Sequence, residues 1–350
     1  MTPIKFPSID QFRHVIRNVQ WKAQFTGLDG AGEPIMDRLA KLPTLKFRGT
    51  EKIHGSNCSA RFFPGGGVAC QSRERIITPE DDNYGYARYI HNLPPSIQDE
   101  FRVPFDDGTE VIYYGEWAGK GIQNKVAVSE VEKFWVIFAV LTIKNGEEKW
   151  VDLQSLGGKM DWMELQKYRI FSIFYNKTWE IDINFENPAD AINQMNQWTL
   201  EVEKESPLGL KLGVSGIGEG IVWKCAEPGY EGSKFWYKNK GTEHSGSKVT
   251  KLADVDVEKM KSINEFIEKT VDEERLNQAW NHLQENKLFD YEKSLGIFLK
   301  WIFNDVIKEE KDTLEASGLK EKELGGAIAK KAKVWYFEKL KHYDKNTNDK

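Results

Sequence analysis

Long apolar runs, paired cysteines and an excess of basic charge are all missing from this sequence of 350 residues. No stretch approaches the roughly 20 apolar residues that a membrane-spanning helix needs, so no membrane protein is expected. Residues Met1 to Gln11 lack the basic start and unbroken apolar core of a signal peptide, and the expectation is a cytoplasmic protein. The three cysteines, Cys58, Cys70 and Cys225, are odd in number, far apart and without paired metal spacing. That argues against a disulfide framework and a zinc site, and for reduced, mostly buried thiols. A net charge of −5 shows no basic footprint of the kind that phosphate contacts leave. A local basic groove remains compatible with it, and two clusters qualify: Lys234, Lys238, Lys240, Lys248 and Lys251, and Lys330, Lys331, Lys333, Lys339 and Lys341. The plain alternative for both is a solvated face.

What is present suits an ordered fold. Hydrophobic residues make up 40%, charged residues 29% and aromatic residues 12%, and the length favours two domains. From about Leu45 to Lys240 the pattern is mainly of short strands. Ile53 to Phe63, Pro64-Gly65-Gly66-Gly67 and Val68 to Ser72 read as a hairpin, and Val111 to Tyr114, Phe134 to Ile143, Ile170 to Phe174 and Ile221 to Lys224 as further strands. One helix interrupts them, with Asn187 as N-cap, Pro188 first, Ala191, Met195, Trp198 and Val202 at helical spacing, and Ser206-Pro207 as its stop. After about Ser247 the texture becomes Lys/Glu-rich with helical period. Leu295, Phe298, Ile302 and Val306 share one face and Ile328, Ala332, Trp335 and Leu340 another, with breaks at Gly318 and Gly325-Gly326 and a frayed tail from Tyr343 to Lys350.

A lysine nucleophile must shed a proton, and an ammonium with the ordinary pKa of about 10.4 does not do so at neutral pH unless positive charge or desolvation lowers it. Glu51-Lys52-Ile53-His54-Gly55-Ser56-Asn57 offers a lysine at the entrance to a strand. By itself Lys-x-x-Gly is common, and such a lysine is usually solvated. Downstream come Gln71-Ser72-Arg73, Tyr114-Gly115-Glu116, Phe134-Trp135-Val136-Ile137-Phe138, Glu219-Gly220-Ile221-Val222-Trp223-Lys224 and Lys238-Asn239-Lys240-Gly241, then Glu243-His244-Ser245. Each has a bland reading: a surface or turn acid for Glu116 and Glu219, a salt-bridged strand end for Arg73, core rings for Trp135 and Phe138, and a structural histidine for His54.

In this order and spacing the segments resemble the covalent nucleotidyltransferases, and among them the ATP-dependent RNA ligases of the T4 RNA ligase 2 type, over nearly the whole chain. The resemblance implies an α+β fold: a nucleotidyltransferase domain of antiparallel sheets with flanking helices at 1–246, then an all-helical domain at 247–350. It implies that Lys52 carries AMP covalently and that Arg73, Glu219, Lys238 and Lys240 complete the catalytic group. ATP would be bound by Glu51, Lys52, Ile53, Asn57, Arg73, Glu116 on the ribose, Lys224, Lys238, Lys240 and an aromatic stacked on adenine. Phe138 is preferred over Trp135 for that stack. The implied metal is Mg2+, with Mn2+ as a substitute and Glu219 as its protein ligand. The implied partner is RNA with 5′-phosphate and 3′-hydroxyl ends, a nicked duplex among them, touched by His54, Arg73, Lys330, Lys331 and Lys333. No membrane and no obligate protein partner is implied, and a phage-encoded chain would work in the host cytoplasm. DNA ligases and capping enzymes share the core motifs but continue into a small β-barrel, whereas this chain continues with helices. A non-catalytic RNA-binding relative is the alternative from another class, disfavoured because the reactive residues are all present.

Overall fold

The structure, a computed structural model, describes residues 1–106, 108–241, 263–289 and 293–347, with side chains to Lys341. The chain divides into two compact units, Met1–Gly241 and Thr242–Lys350. The sequence-based candidates Glu243, His244, Ser245, Lys248 and Lys251 lie outside the described residues.

The first unit begins with helix α1 (Phe12–Gln24) and a small ribbon, β1 (Phe25–Leu28) and β2 (Pro34–Met36). There follow β3 (Thr44–Lys52), β4 (Ser56–Phe62), β5 (Val68–Ser72), β6 (Ile76–Ile77), the short helices α2 (Tyr86–His91) and α3 (Pro95–Glu100), β7 (Glu110–Ala118), β8 (Phe134–Lys144) and β9 (Glu147–Val151). Then come α4 (Trp162–Lys167), β10 (Ile170–Ser172), β11 (Thr178–Asn184), α5 (Ala189–Lys204), α6 (Pro207–Lys211), β12 (Gly220–Cys225) and β13 (Trp236–Lys240). A four-stranded sheet runs β11-β3-β12-β13. A seven-stranded sheet runs β10-β8-β7-β4-β5-β6, with β9 also paired to β8. The pairings are antiparallel except that β10 lies parallel to β8.

Alternation along β3 decides which side of the smaller sheet is dry. Leu45, Phe47 and Glu51 point to the buried side, and Lys46, Arg48, Thr50 and Lys52 to the other. The dry side is covered by α1, through Phe12, Val15, Ile16 and Val19, and by α5, through Ile192, Met195 and Val202. Phe12 and Phe47 meet Tyr237, and Trp198 stacks on Trp223. Each such large side chain taken from water contributes about 1.5–3 kcal/mol before entropy is subtracted. Helix α1 was not read from the sequence, although its buried residues follow the i, i+3, i+4, i+7 spacing. The expected hairpin forms between β4 and β5, with Gly66 and Gly67 at positive φ in its turn. Its first strand starts at Ser56 rather than Ile53, because Ile53 to Gly55 cross from one sheet to the other.

The second unit holds α7 (Ile263–Thr270), α8 (Glu273–Glu285), α9 (Ser294–Ser317) and α10 (Glu321–Thr347). Phe298, Ile302, Val306, Ile328 and Ala332 are buried in one core with Phe266, Trp280 and Tyr336. Gly318 ends α9 in the left-handed conformation. Gly325-Gly326 do not break α10, contrary to the sequence reading: Leu324 and Ile328 on either side are buried, and their packing offsets the roughly 1 kcal/mol that each helical glycine costs. The expected frayed tail is helical backbone as far as Thr347. No helix among the described residues is long and apolar enough to cross a membrane.

Candidate active site

Three strand ends meet in the smaller sheet. Gly220, first in β12, is paired with Lys52, last in β3, and with Lys240, last in β13. Gly220 has φ +148, and a Cβ there would lie 2.1 Å from the Asn239 carbonyl oxygen, so this close row requires glycine. It places Glu219, one residue earlier, between two lysines. Glu219 Oε2 is 2.6 Å from Lys52 Nζ and 3.2 Å from His54 Nδ1, and Oε1 is 2.9 Å from Lys240 Nζ. Burial opposes ionisation of Glu219, but Lys240, Lys52 and His54 outweigh it and hold the carboxyl well below the usual range.

The crossing segment brings the larger sheet's residues to the same place. Asn57 on β4 is in register with Glu116 on β7, and Glu116 Oε1 accepts the Gly55 backbone N–H at 3.1 Å. A Cβ on Gly55 would meet the Trp117 carbonyl oxygen at 2.4 Å, so the backbone passes close to β7 only because that residue is glycine. Burial raises the Glu116 carboxyl, with Glu219 acting in the same sense and Lys52 and His54 against it. Arg73 follows β5, exposed, and its side chain makes no hydrogen bond or ion pair with the described residues.

At Tyr114/Gly115 the β7–β8 register slips by one residue, leaving Phe138 as the bulged residue of β8. Bulges of this kind re-aim a side chain. Phe138 stays half-buried and packs at 5.0 Å, edge to face, against Phe6. Trp135, the other candidate for stacking on a base, is fully buried in the main core against Tyr86, and a Cβ on Gly115 would collide with its indole. The expectation for Trp135 is therefore corrected: alternation along β8 turns it into the core.

Two more candidates turn away from the cluster. Ile53 is buried in the main hydrophobic core, so only its backbone is available to a nucleotide. Glu51, on the dry face of β3, accepts hydrogen bonds from Ser206 Oγ, Leu208 N and Asn176 Nδ2, and burial pushes its carboxyl up. Lys224 lies four residues along β12 from Gly220, about 13 Å at strand rise. It donates to the Phe138 carbonyl at 2.9 Å and sits 4.5 Å over the Trp236 ring, with burial bringing its pKa down to about 8. It thus belongs to an aromatic end of this sheet face, away from the Lys52 end. Lys238 stands between the two ends, opposite Val222. Together with Lys46, Arg48, Lys52, Lys224 and Lys240 it lines one face of the sheet, where cations outnumber the acids Glu180, paired with Arg48 at 3.3 Å, Asp182, opposite Lys46, and Glu219.

The N-terminal segment was missed by the sequence reading. Ile4 is held by reciprocal hydrogen bonds with the Gln71 amide and by Tyr114 Oη, and Phe6 stacks on Trp236. Nothing in its local sequence marks this contact. In the second unit, Lys331 pairs with Glu268 at 2.9 Å and faces α7, whereas Lys330 and Lys333 are exposed. The described residues hold no cluster of three acids, histidines or cysteines fit for a metal. Glu219, the expected magnesium ligand, has both oxygens engaged by Lys52, His54 and Lys240, so it could hold an ion only by releasing one of them.

Residues 45–240 match the family described as RNA ligase. No curated protein matches. Among solved structures the chain is similar to a lysine-to-alanine mutant of Naegleria gruberi RNA ligase with ATP and Mn, at 12% identity and TM-score 0.42, over 69% of this chain and 57% of that one. It is also similar to a lysine-to-methionine mutant with AMP and Mn (13%, 0.43, 69% and 56%) and to the protein with PPi (13%, 0.42, 69% and 59%). The chain thus spans less than two thirds of those proteins, and likenesses of this degree add nothing to the chemistry above. The family match is of another order: it covers more than half of the sequence and runs from the start of β3 to the end of β13, taking in Lys52, Arg73, Glu116, Glu219 and Lys240, and the chain belongs to the RNA ligase family.

Proposed function

We propose that this protein is an ATP-dependent RNA ligase of the T4 RNA ligase 2 type, sealing 5′-phosphate and 3′-hydroxyl RNA ends in the repair of broken RNA in the cytoplasm. The observation that carries the reading is the Lys52–Glu219–Lys240 row, a reactive amine fixed by a buried carboxylate at the end of a basic sheet face.

In the first step Lys52 Nζ, having lost a proton, attacks the α-phosphorus of ATP; a P–N bond forms, the bond to the β-phosphate oxygen breaks, and pyrophosphate leaves. Because its carboxyl is held so far down, Glu219 aims the amine and is a poor base for it. Lys238 and Lys240 neutralise the phosphates, Glu116 accepts hydrogen bonds from ribose hydroxyls, and Phe138 covers the purine face. In the second step a 5′-phosphate oxygen of RNA displaces Lys52, and AMP becomes linked to that end. Arg73 holds the incoming phosphate by two parallel N–H bonds. In the third step the 3′-hydroxyl attacks the activated phosphate and AMP departs. Magnesium bound with the polyphosphate would supply charge neutralisation and orientation of phosphate oxygens, with Glu219 as its protein ligand once Lys240 turns to phosphate.

Incubation with ATP labelled at the α-phosphate is expected to give an acid-stable protein label that Lys52→Ala abolishes. Nicked substrates with RNA or DNA on each side then decide the polynucleotide. Absence of label, or its persistence in Lys52→Ala, defeats the proposal. Sealing of DNA nicks alone would reassign the protein to a DNA ligase.

A further inference from the structure

Glu51 stands next to the nucleophile in sequence, yet its side chain lies on the opposite face of β3. Its two oxygens receive three donors from two other segments: Ser206 Oγ at 2.5 Å, the Leu208 backbone N–H at 2.8 Å and Asn176 Nδ2 at 2.5 Å. Ser206 and Leu208 open the segment that leads to Glu219. That segment is folded back on itself, with Ser206 N donating to Gly216 O, Gly218 N to Val202 O and Ala127 N to Ile217 O. Gly218 passes so near that a Cβ on it would lie 3.0 Å from Glu51 Oε1 and 2.7 Å from Val202. The carboxylate therefore occupies the space between the strand that carries Lys52 and the turn that delivers Glu219.

We propose that Glu51 is a positioning residue, whose buried carboxylate fastens the Ser206–Gly218 segment and Asn176 to β3 and so fixes the separation of Lys52 and Glu219. A buried acid with no structural duty is costly, and apolar residues fill β3's dry face more cheaply. Three donors converging from residues 125, 155 and 157 positions away in sequence instead make this group a long-range tie. Its effect reaches the reacting amine through one peptide bond on one side and through the turn before Gly220 on the other. A shift of about 1 Å in such an arrangement costs on the order of a hundredfold in rate. The inference rests on the lysyl-AMP reading above.

The test uses the full chain with Glu51→Gln, which keeps shape but loses an acceptor, and with Ser206→Ala and Asn176→Ala, which each remove one donor. Single-turnover labelling of Lys52 is measured over a range of ATP concentrations, beside equilibrium ATP binding and a urea melt. Expected for Glu51→Gln is a drop of ten- to a hundredfold in the labelling rate at saturating ATP, with ATP affinity within about threefold, and smaller drops of the same kind for the two partner variants. A folded Glu51→Gln that labels at the wild-type rate overturns the inference. So does a loss that follows only the unfolded fraction while the folded protein keeps its rate, or one that appears in ATP affinity alone. If Glu51→Gln fails to fold, Ser206→Ala and Asn176→Ala decide by the same criteria. A wild-type protein that takes no label at all refutes the lysyl-AMP reading instead, which separates the two failures.

Discussion

Replacing Lys224 with methionine measures what its burial costs and in which pH range. Burial beside Trp236 and Phe138 brings its pKa from the ordinary 10.5 to about 8. Below pH 8 folded and unfolded chains both hold the proton, and folding has to bury the charge. Between about pH 8 and 10.5 the unfolded chain keeps a proton that the folded chain has released, so stability rises with pH across that window. At about 1.4 kcal/mol per pH unit the full rise is about 3 kcal/mol, an upper value because the side chain keeps some exposure. Methionine cannot titrate, so the stability difference between the two proteins is expected to change by up to about 2.4 kcal/mol from pH 7.5 to 10, which covers most of that rise. The lost hydrogen bond to the Phe138 carbonyl adds a constant of about 1 kcal/mol at every pH. Buried tyrosines such as Tyr86, Tyr113 and Tyr237, whose hydroxyls burial pushes up, lower stability above pH 10 in both proteins and cancel in the difference. The assay is urea unfolding followed by tryptophan fluorescence at constant ionic strength. A stability difference that stays flat from pH 7.5 to 10 refutes the argument.

Arg73→Ala removes an exposed side chain with no partner among the described residues, so stability should stay within about 0.5 kcal/mol while sealing of 5′-phosphate ends falls at least tenfold; equal sealing by both proteins removes Arg73 from the site. Gly220→Ala places a Cβ 2.1 Å from Asn239 O at φ +148, and a loss above about 2 kcal/mol in the same urea assay is expected, together with reduced labelling of Lys52. On α10, Lys330, Lys333 and Lys341 are exposed at spacings that put them on one stripe, while Lys331 is paired with Glu268. Changing those three to alanine should weaken RNA binding and flatten its dependence on log salt by up to about three, and an unchanged slope excludes the stripe as a phosphate contact.

Strand content around the site was legible because period-2 burial and glycine-rich turns leave marks within a few residues: β5, β7, β8 and β12 lie where β-branched and aromatic runs placed them. The direction in which each candidate points was less so. Trp135 and Phe138 belong to one run and, three residues apart, fall on opposite faces of β8, so alternation separates the core ring from the other once the dry face is known. Glu51 and Lys52 are neighbours in the chain and lie on opposite faces of β3, which alternation makes readable once the dry face is known. The Glu219 cluster needs the registers of β3, β12 and β13 at once, and pairing between strands about 170 residues apart leaves no local trace. The same holds for Phe6, whose partners come from four separate strands.

The buried carboxylate of Glu219 explains how a chain of net charge −5 can present a site for polyanions. Two lysines share one carboxylate, so the row Lys52–Glu219–Lys240 carries more positive than negative charge at a point where little water screens it. Without Glu219 the two ammonium groups would repel and splay, and Lys52 would lose its fixed direction. With it they stay within reach of one another on a sheet face that also carries Lys238 and Lys224, while Glu180 and Asp182 stand opposite Arg48 and Lys46 at its other edge. On the proposed function, phosphate oxygens arriving there would relax the lysines' repulsion while the carboxylate kept its hold on Lys52. Net charge is thus a poor guide for this protein, because three strand ends and one glycine gather Lys52 and Lys240 around a single carboxylate.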